Sequence, residues 1–154
     1  MQIHRRSAQN SDYDWLLRLH HAVYRHLIVK EFGYWDENEE FELFTEAWQT
    51  QQIQILLRDG QRVGMLMILE ETDRLWLDEI QIDPQFQNQG IGTAVIEELI
   101  ATARDRQLPV HLRVLRANRG AHRLYRRLGF RRIEEAKHHI VMELTWAVPG
   151  IAAE

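Results

Sequence analysis

The stretch IDPQFQNQGIGTAVIEELI, residues 82–100, constrains this chain more than any other. A strand-like end meets Pro84, then Gly90 and Gly92, and then a helical pattern. Ile91, Val95, Leu99 and Ala103 recur on one face, with Ala94, Ile96 and Ile100 beside them. Glu97, Glu98, Arg104 and Asp105 fall on the opposite side, so the spacing predicts a helix from about Ile91 to Arg106. A helix N-terminus leaves backbone N–H groups unpaired and carries partial positive charge. Glycine there lets a ligand approach the backbone, so strand, glycine loop and helix together form either an anion site or simply a tight turn. Two familiar phosphate motifs are excluded. No G-x-x-x-x-G-K-[ST] occurs, and Gly90-Ile91-Gly92 lacks the third glycine of a dinucleotide fingerprint.

The rest of the chain sets this loop in a mixed α/β frame. At 154 residues, one domain spanning 1–154 is expected. Ile3 marks a short first strand. NSDYDWLLRLHHAVYRHLI reads as a helix capped by Ser11 and Asp14, with Leu16, Leu19, Val23 and Leu27 at helical spacing. Phe41, Phe44 and Trp48 suggest a shorter second helix. QIQILLRDGQRVGMLMILEETDRLWLDEIQIDP reads as an antiparallel meander turning at Asp59-Gly60 and near Thr72-Asp73. After the central helix, Leu108-Pro109 breaks the pattern and VHLRVLR forms a strand. ANRGAHRLYRRLG is a helix starting near Asn118 and stopping at Gly129. FRRIEE and HHIVMELTW close the sheet. The expected order is β-α-α-β-β-β-α-β-α-β-β.

Composition removes several chemistries. There is no cysteine, which excludes a disulfide scaffold, a thiolate metal site and a cysteine nucleophile. The only serines, Ser7 and Ser11, lie in the N-terminal segment, which makes a serine triad a poor fit. His20, His21, His26, His138 and His139 show no H-x-x-x-H pattern, so no metal site is expected. No apolar run approaches the ~18 residues of a membrane span. The N-terminus has no apolar signal core, and a cytoplasmic, membrane-free protein is expected. Net charge is −4, but residues 31–46 are acidic and residues 113–132 basic. Such polarity either guides oppositely charged ligands to opposite ends of a site or marks two solvated faces.

QNQGIG resembles the Q/R-x-x-G-x-G/A signature of the GNAT family of N-acetyltransferases, with Gln87, Gly90 and Gly92 at the defining positions. EIQIDP precedes it as that family's fourth strand does. RANRGAHRLYRRLGF resembles a later family segment, through Asn118, Tyr125 and Gly129-Phe130, and element order agrees over about residues 3–144. The resemblance implies the GNAT acyl-CoA N-acyltransferase fold and acetyl-CoA as co-substrate. The pyrophosphate would sit on the amides of Asn88, Gln89, Gly90, Ile91, Gly92 and Thr93, with Gln87 also among the cofactor-binding residues. The pantetheine arm would lie between splayed fourth and fifth strands, along Ile80, Gln81 and Ile82, pairing with the backbone of Ile80 and Ile82. The Ile82 N–H would polarise the thioester carbonyl, and Asn118 would touch the arm.

The implied chemistry is direct attack of an amine on the thioester, through a tetrahedral oxyanion, with CoA thiolate leaving. Tyr125 matches the tyrosine that often protonates the thiolate. It also fits a core role, on the stripe of Ala121, Leu124, Tyr125 and Leu128. The fifth-strand glutamate used as base by some relatives is Arg113 here. Glu79 is the leading base candidate, or else an exposed carboxylate or an arginine's partner; His111 is a second candidate, or faces solvent or satisfies a strand end. Arg119, Arg123 and Arg126 would flank the phosphates. The acidic segment would line the acceptor side, with Glu31, Asp36, Glu37 and Glu40 drawing in a cationic primary amine and Tyr34 and Trp35 packing on it. A small-molecule or a protein acceptor both stay open, as does a module that binds acetyl-CoA without transfer. Nucleic acid is disfavoured by the acidic balance. The last strand and the tail TWAVPGIAAE can pair with a second copy, so a homodimer is possible.

Overall fold

The computed structural model describes residues 1–146. Strands β1 (His4–Ser7), β2 (Ile53–Arg58), β3 (Gln61–Glu70), β4 (Leu75–Ile82), β5 (Val110–Leu115), β6 (Arg131–Glu135) and β7 (His139–Leu144) form one sheet in the order β1-β2-β3-β4-β5-β7-β6. Helices α1 (Tyr13–Phe32) and α2 (Glu37–Gln49) precede β2. Helix α3 (Ile91–Asp105) joins β4 to β5, and α4 (Arg119–Arg127) joins β5 to β6. Every neighbouring pair is antiparallel except β4 and β5, which the α3 crossover makes parallel. This is the expected order and the expected mixed α/β class.

Both faces of the central strands are buried. On one side, Leu16 and Leu19 of α1 and Phe44 of α2 pack on Ile53, Ile55, Met65 and Met67. On the other, Ile91, Val95, Ile96 and Leu99 of α3 pack on Leu56, Val63, Leu66, Leu75, Leu77 and Leu112. Alternation in β2 and β3 supplies both sets, because successive side chains point to opposite faces. A β-bulge that leaves Val63 as the extra residue opposite Leu56 and Leu57 turns it to the α3 side, away from Met65 and Met67.

Two local expectations are corrected. The first strand begins at His4, while Ile3 packs against the α3-side core. Neither Ser11 nor Asp14 caps α1. A 3₁₀ turn over Asn10–Asp12 leads into it instead, and Asp12, almost fully buried, binds Arg6, Arg62 and the Gln9 N–H. This ion-pair cluster fixes the chain's entry to the helix. The distal part of the C-terminal tail named above for pairing, from residue 147 on, lies outside the described residues.

Candidate active site

The pairing of β4 with β5 covers Leu75↔Val110, Trp76↔His111 and Leu77↔Leu112, and then stops. Both strands continue, so they diverge. The Asp83 N–H donates to the Val63 carbonyl on β3 at 2.9 Å. Peptide direction alternates along a strand, so the N–H groups of Ile80 and Ile82 face the diverging side. A cleft of ≈ 1560 Å³ opens there between β4, β5, α1, α2 and α4.

A β-bulge shapes its wall. Met67 faces Glu79 and Ile68 faces Leu77, which leaves Asp78 as the extra residue on β4. Leu75 and Leu77 therefore point to the α3-side core, whereas Glu79 and Gln81 point toward α1. Gly64 opposite Ile82 makes the close strand contact possible: a Cβ there would lie 2.3 Å from the Gln81 carbonyl oxygen.

The glycine loop closes one end of the cleft. Asn88 (φ 63°) and Gly90 (φ 81°) both take the left-handed conformation, and Gly90 is the N-cap of α3 with no side chain covering the amides. Gly90, Ile91, Gly92 and Thr93 line the cleft. Gln87 does so too, and its Nε2 donates to the Ile82 carbonyl at 2.9 Å, tying the loop to the end of β4. Gln89 accepts from Arg58 at 2.9 Å on the outer side. The result is an uncapped helix N-terminus aimed into a cleft, a site for an anionic group.

Tyr125 and Glu79 line the same cleft from α4 and β4. Tyr125 is buried, and burial, followed by the charge of Glu79, pushes its hydroxyl well above the usual tyrosine range. Asn118 caps α4, its Oδ1 accepting from the Ala121 N–H at 3.3 Å, and also lines the cleft. Glu79 is neither fully exposed nor paired with an arginine. It accepts a hydrogen bond from the Tyr24 hydroxyl of α1. Burial raises its carboxyl to about 7, against the opposing effect of that hydrogen bond. No motif points to Tyr24: one tyrosine on an amphipathic helix carries no signal until the strand beneath it is known.

The acidic segment is more engaged than its sequence suggests. Glu31 does not line the cleft; it accepts from the Ala117 N–H at 2.9 Å and faces His138 Nδ1 at 3.1 Å, joining the end of α1 to the β5–α4 loop. Trp35 does not line it either, and packs on His20 and His21. Glu37 pairs with His21 at 2.9 Å outside the cleft wall. Asp36 caps α2 through the N–H groups of Asn38 and Glu39 and still lines the cleft. Tyr34, Glu39, Glu46 and a buried Glu40 paired with His20 at 2.8 Å do so as well. Of the arginines, Arg123 lines the cleft and Arg119 and Arg126 do not; Arg127 and Arg113 join it. His111 is buried beside Trp76, bonded to Glu143 at 2.7 Å, away from the cleft. Among the described residues, no group of three or more His, Asp or Glu is arranged to hold a metal ion, and no helix is long and apolar enough to cross a membrane.

Comparison with known proteins meets this geometry. The model of the Acetyltransferase (GNAT) family matches residues 20–130. An uncharacterized N-acetyltransferase of Methanocaldococcus jannaschii is 40% identical over 70 residues, which is 45% of this chain and 31% of that protein. The match thus spans less than a third of that relative. The PaiA N-acetyltransferase of Thermoplasma acidophilum, solved in complex with coenzyme A, has a TM-score of 0.74 at 15% identity, over 95% of this chain and 100% of that one. The ribosomal-protein-S18-alanine N-acetyltransferase of Escherichia coli has a TM-score of 0.68 at 20% identity, over 99% and 100%. At these identities the two structures bear on the fold.

Proposed function

The chain belongs to the Acetyltransferase (GNAT) family, and from that premise we propose that it is an acetyl-CoA-dependent N-acetyltransferase acting on a primary amine by direct attack. One observation carries the reading: the unpaired side of β4 runs into an uncapped helix N-terminus, and Glu79 and Tyr125 flank the same opening.

The pyrophosphate of acetyl-CoA rests on the amides of Ile91, Gly92 and Thr93, and the pantetheine arm pairs with β4 at Ile80 and Ile82. The Ile82 N–H donates to the thioester oxygen, and one such donor contributes about 3–4 kcal/mol to the transition state. Glu79 takes a proton from the ammonium form of the acceptor. The free amine attacks the thioester carbon, a C–N bond forms, and the C–S bond breaks as the tetrahedral intermediate collapses. Tyr125 gives its proton to the departing thiolate and recovers one from the new amide nitrogen, through solvent. Burial keeps the hydroxyl protonated before the thiolate forms, and because a thiolate is less basic than a tyrosinate, the transfer must be coupled to the return of a proton from the amide nitrogen.

The acceptor is a cationic amine. Asp36, Glu39, Glu40 and Glu46 supply negative charge on its side of the cleft, and Tyr34 offers an exposed aromatic face. The test is an acetyl-CoA consumption screen across polyamines, aminoglycoside-like amines, lysine peptides and peptide N-termini, with the product mass measured. A gain of one acetyl group on an amine is expected. Tight coenzyme A binding with no transfer to any amine identifies a binding module instead.

A further inference from the structure

α1 meets β4 through polar side chains: Tyr24 reaches Glu79 and His20 reaches Gln81. A phenylalanine at 24 would fill the same space, and its ring would still pack on His20, whose ring centroid is 5.4 Å away. The hydroxyl is thus an addition whose burial is compensated by one bond, the one it donates to Glu79 Oε1. Burial and the neighbouring Glu79 charge push the Tyr24 hydroxyl well above the usual tyrosine range, so it keeps its proton and can donate it to Glu79.

We propose that Tyr24 is a positioning residue for acetyl transfer: its hydroxyl occupies Oε1 of Glu79 and presents Oε2 to the acceptor amine across the cleft. The inference rests on Glu79 being the base. A carboxylate on a two-carbon stem is free to rotate, and a proton acceptor that must meet an ammonium group in one orientation gains from being held. The bond also sustains the charged form against burial. The other groups around Glu79 do not replace it: Asp78 beside it on β4 repels its charge, His20 on α1 is committed to Glu40, and Tyr125 faces it from α4. Arg113 on β5 bears on Asp78, and His139 on β7 lies further along the wall. The Ile80 N–H also favours the charged form, with a weaker influence than Tyr24.

The experiment combines Tyr24→Phe, Glu79→Gln and the double variant, with the Glu79 side-chain carbonyl followed by carbon-13 NMR across pH. In Tyr24→Phe the Glu79 titration moves to higher pH, and the acidic limb of the kcat profile moves with it. At neutral pH, kcat falls about tenfold, while KM and Kd for acetyl-CoA stay as in the parent. Glu79→Gln loses about a hundredfold or more, and adding Tyr24→Phe to it costs nothing further. In case Tyr24→Phe fails to fold, 3-fluorotyrosine at position 24 keeps the packing, strengthens the donor and shifts the limb to lower pH. An unmoved Glu79 titration in the phenylalanine or fluorotyrosine protein overturns the role of Tyr24 alone. Full activity in Glu79→Gln overturns the base, and the positioning role with it.

Discussion

Leu77 and Leu112 are the last residues at which β4 and β5 stand in register. Beyond them the N–H groups of Ile80 and Ile82 face a side that no strand covers. An unpaired strand edge is a template for an extended ligand. Adding acetyl-CoA should therefore slow amide hydrogen exchange at Ile80 and Ile82. Amides already bonded to β3, such as Asp83, should change little. Unchanged exchange at both amides under saturating acetyl-CoA would place the arm elsewhere.

Gly64 has no freedom to grow. A methyl group there would lie 2.3 Å from the Gln81 carbonyl oxygen, which belongs to the backbone and cannot rotate away. Gly64→Ala must push β3 from β4 at the head of the cleft. The expected loss is about 2–3 kcal/mol, in the upper part of the range for single substitutions, with coenzyme A affinity falling as well. Gly92→Ala is the control. Its methyl would meet Ile82 at 3.7 Å, an ordinary contact, and alanine favours a helical position over glycine, so its melting temperature should equal or exceed the parent's.

The frame of the site was legible because its determinants are local. The helix beginning after Gly90, the Asn118 cap and the Gly129 stop follow from residue types and spacing, and the structure has all three. The partner of Glu79 was not legible. LWLDEIQI read as an unbroken alternation puts Leu75, Leu77, Glu79 and Gln81 on one face. The bulge at Asp78 divides them, Leu75 and Leu77 toward the α3-side core and Glu79 and Gln81 toward α1, and that bulge depends on register with β3 rather than on any residue preference. The same limit explains Glu31. Its carboxylate looks free in an acidic run, yet it bonds to Ala117, far along the chain.

If Glu79 is the base, it ties activity to pH. Burial raises its carboxyl to about 7. Below that pH it is protonated and accepts nothing, so kcat/KM should climb as pH rises through about 7, and Glu79→Gln should abolish this limb. The linkage to folding has the opposite sense. A carboxyl raised above its unfolded value favours the fold below about pH 4.5 and loses that contribution as pH rises to about 7. Glu79→Gln removes the charge and keeps an acceptor for Tyr24. It should raise the melting temperature at about pH 8 and leave it unchanged near pH 4. A lower melting temperature at both values would contradict the burial argument.

The arginines of α4 divide by position. Arg123 and Arg127, one helical turn apart, line the cleft, whereas Arg119 and Arg126 do not. If the first pair meets phosphate, Arg123→Ala and Arg127→Ala should each weaken coenzyme A binding by about tenfold or less, as for partly screened charges. The salt dependence of Kd should flatten in both. Arg119→Ala and Arg126→Ala should leave both quantities alone. Calorimetry at two ionic strengths separates the pairs, and equal losses in all four variants would mean that only overall charge matters.

Asp12 holds the start of α1, and α1 carries Tyr24. Its carboxylate is 1% exposed, with Arg6 at 2.7 Å and Arg62 at 3.1 Å. Arg6 above all, then the Gln9 N–H and Arg62, lowers its pKa to about 2 against the opposing effect of burial. A depressed carboxyl contributes stability that is fully present above the unfolded value of about 4 and disappears as pH falls through about 2. A difference of nearly two units corresponds to about 2 kcal/mol. Asp12→Asn keeps an acceptor for the Gln9 N–H but loses both ion pairs. Each arginine it abandons is about a third exposed and regains water, so the loss at neutral pH should stay near 2 kcal/mol, short of the 3–5 typical when a buried charge is stranded. The gap between parent and variant in urea unfolding should close from about pH 4 toward about pH 2, where the parent's carboxyl is itself neutral. A gap that stays constant over this range would mean that Asp12 acts through shape and hydrogen bonding rather than charge.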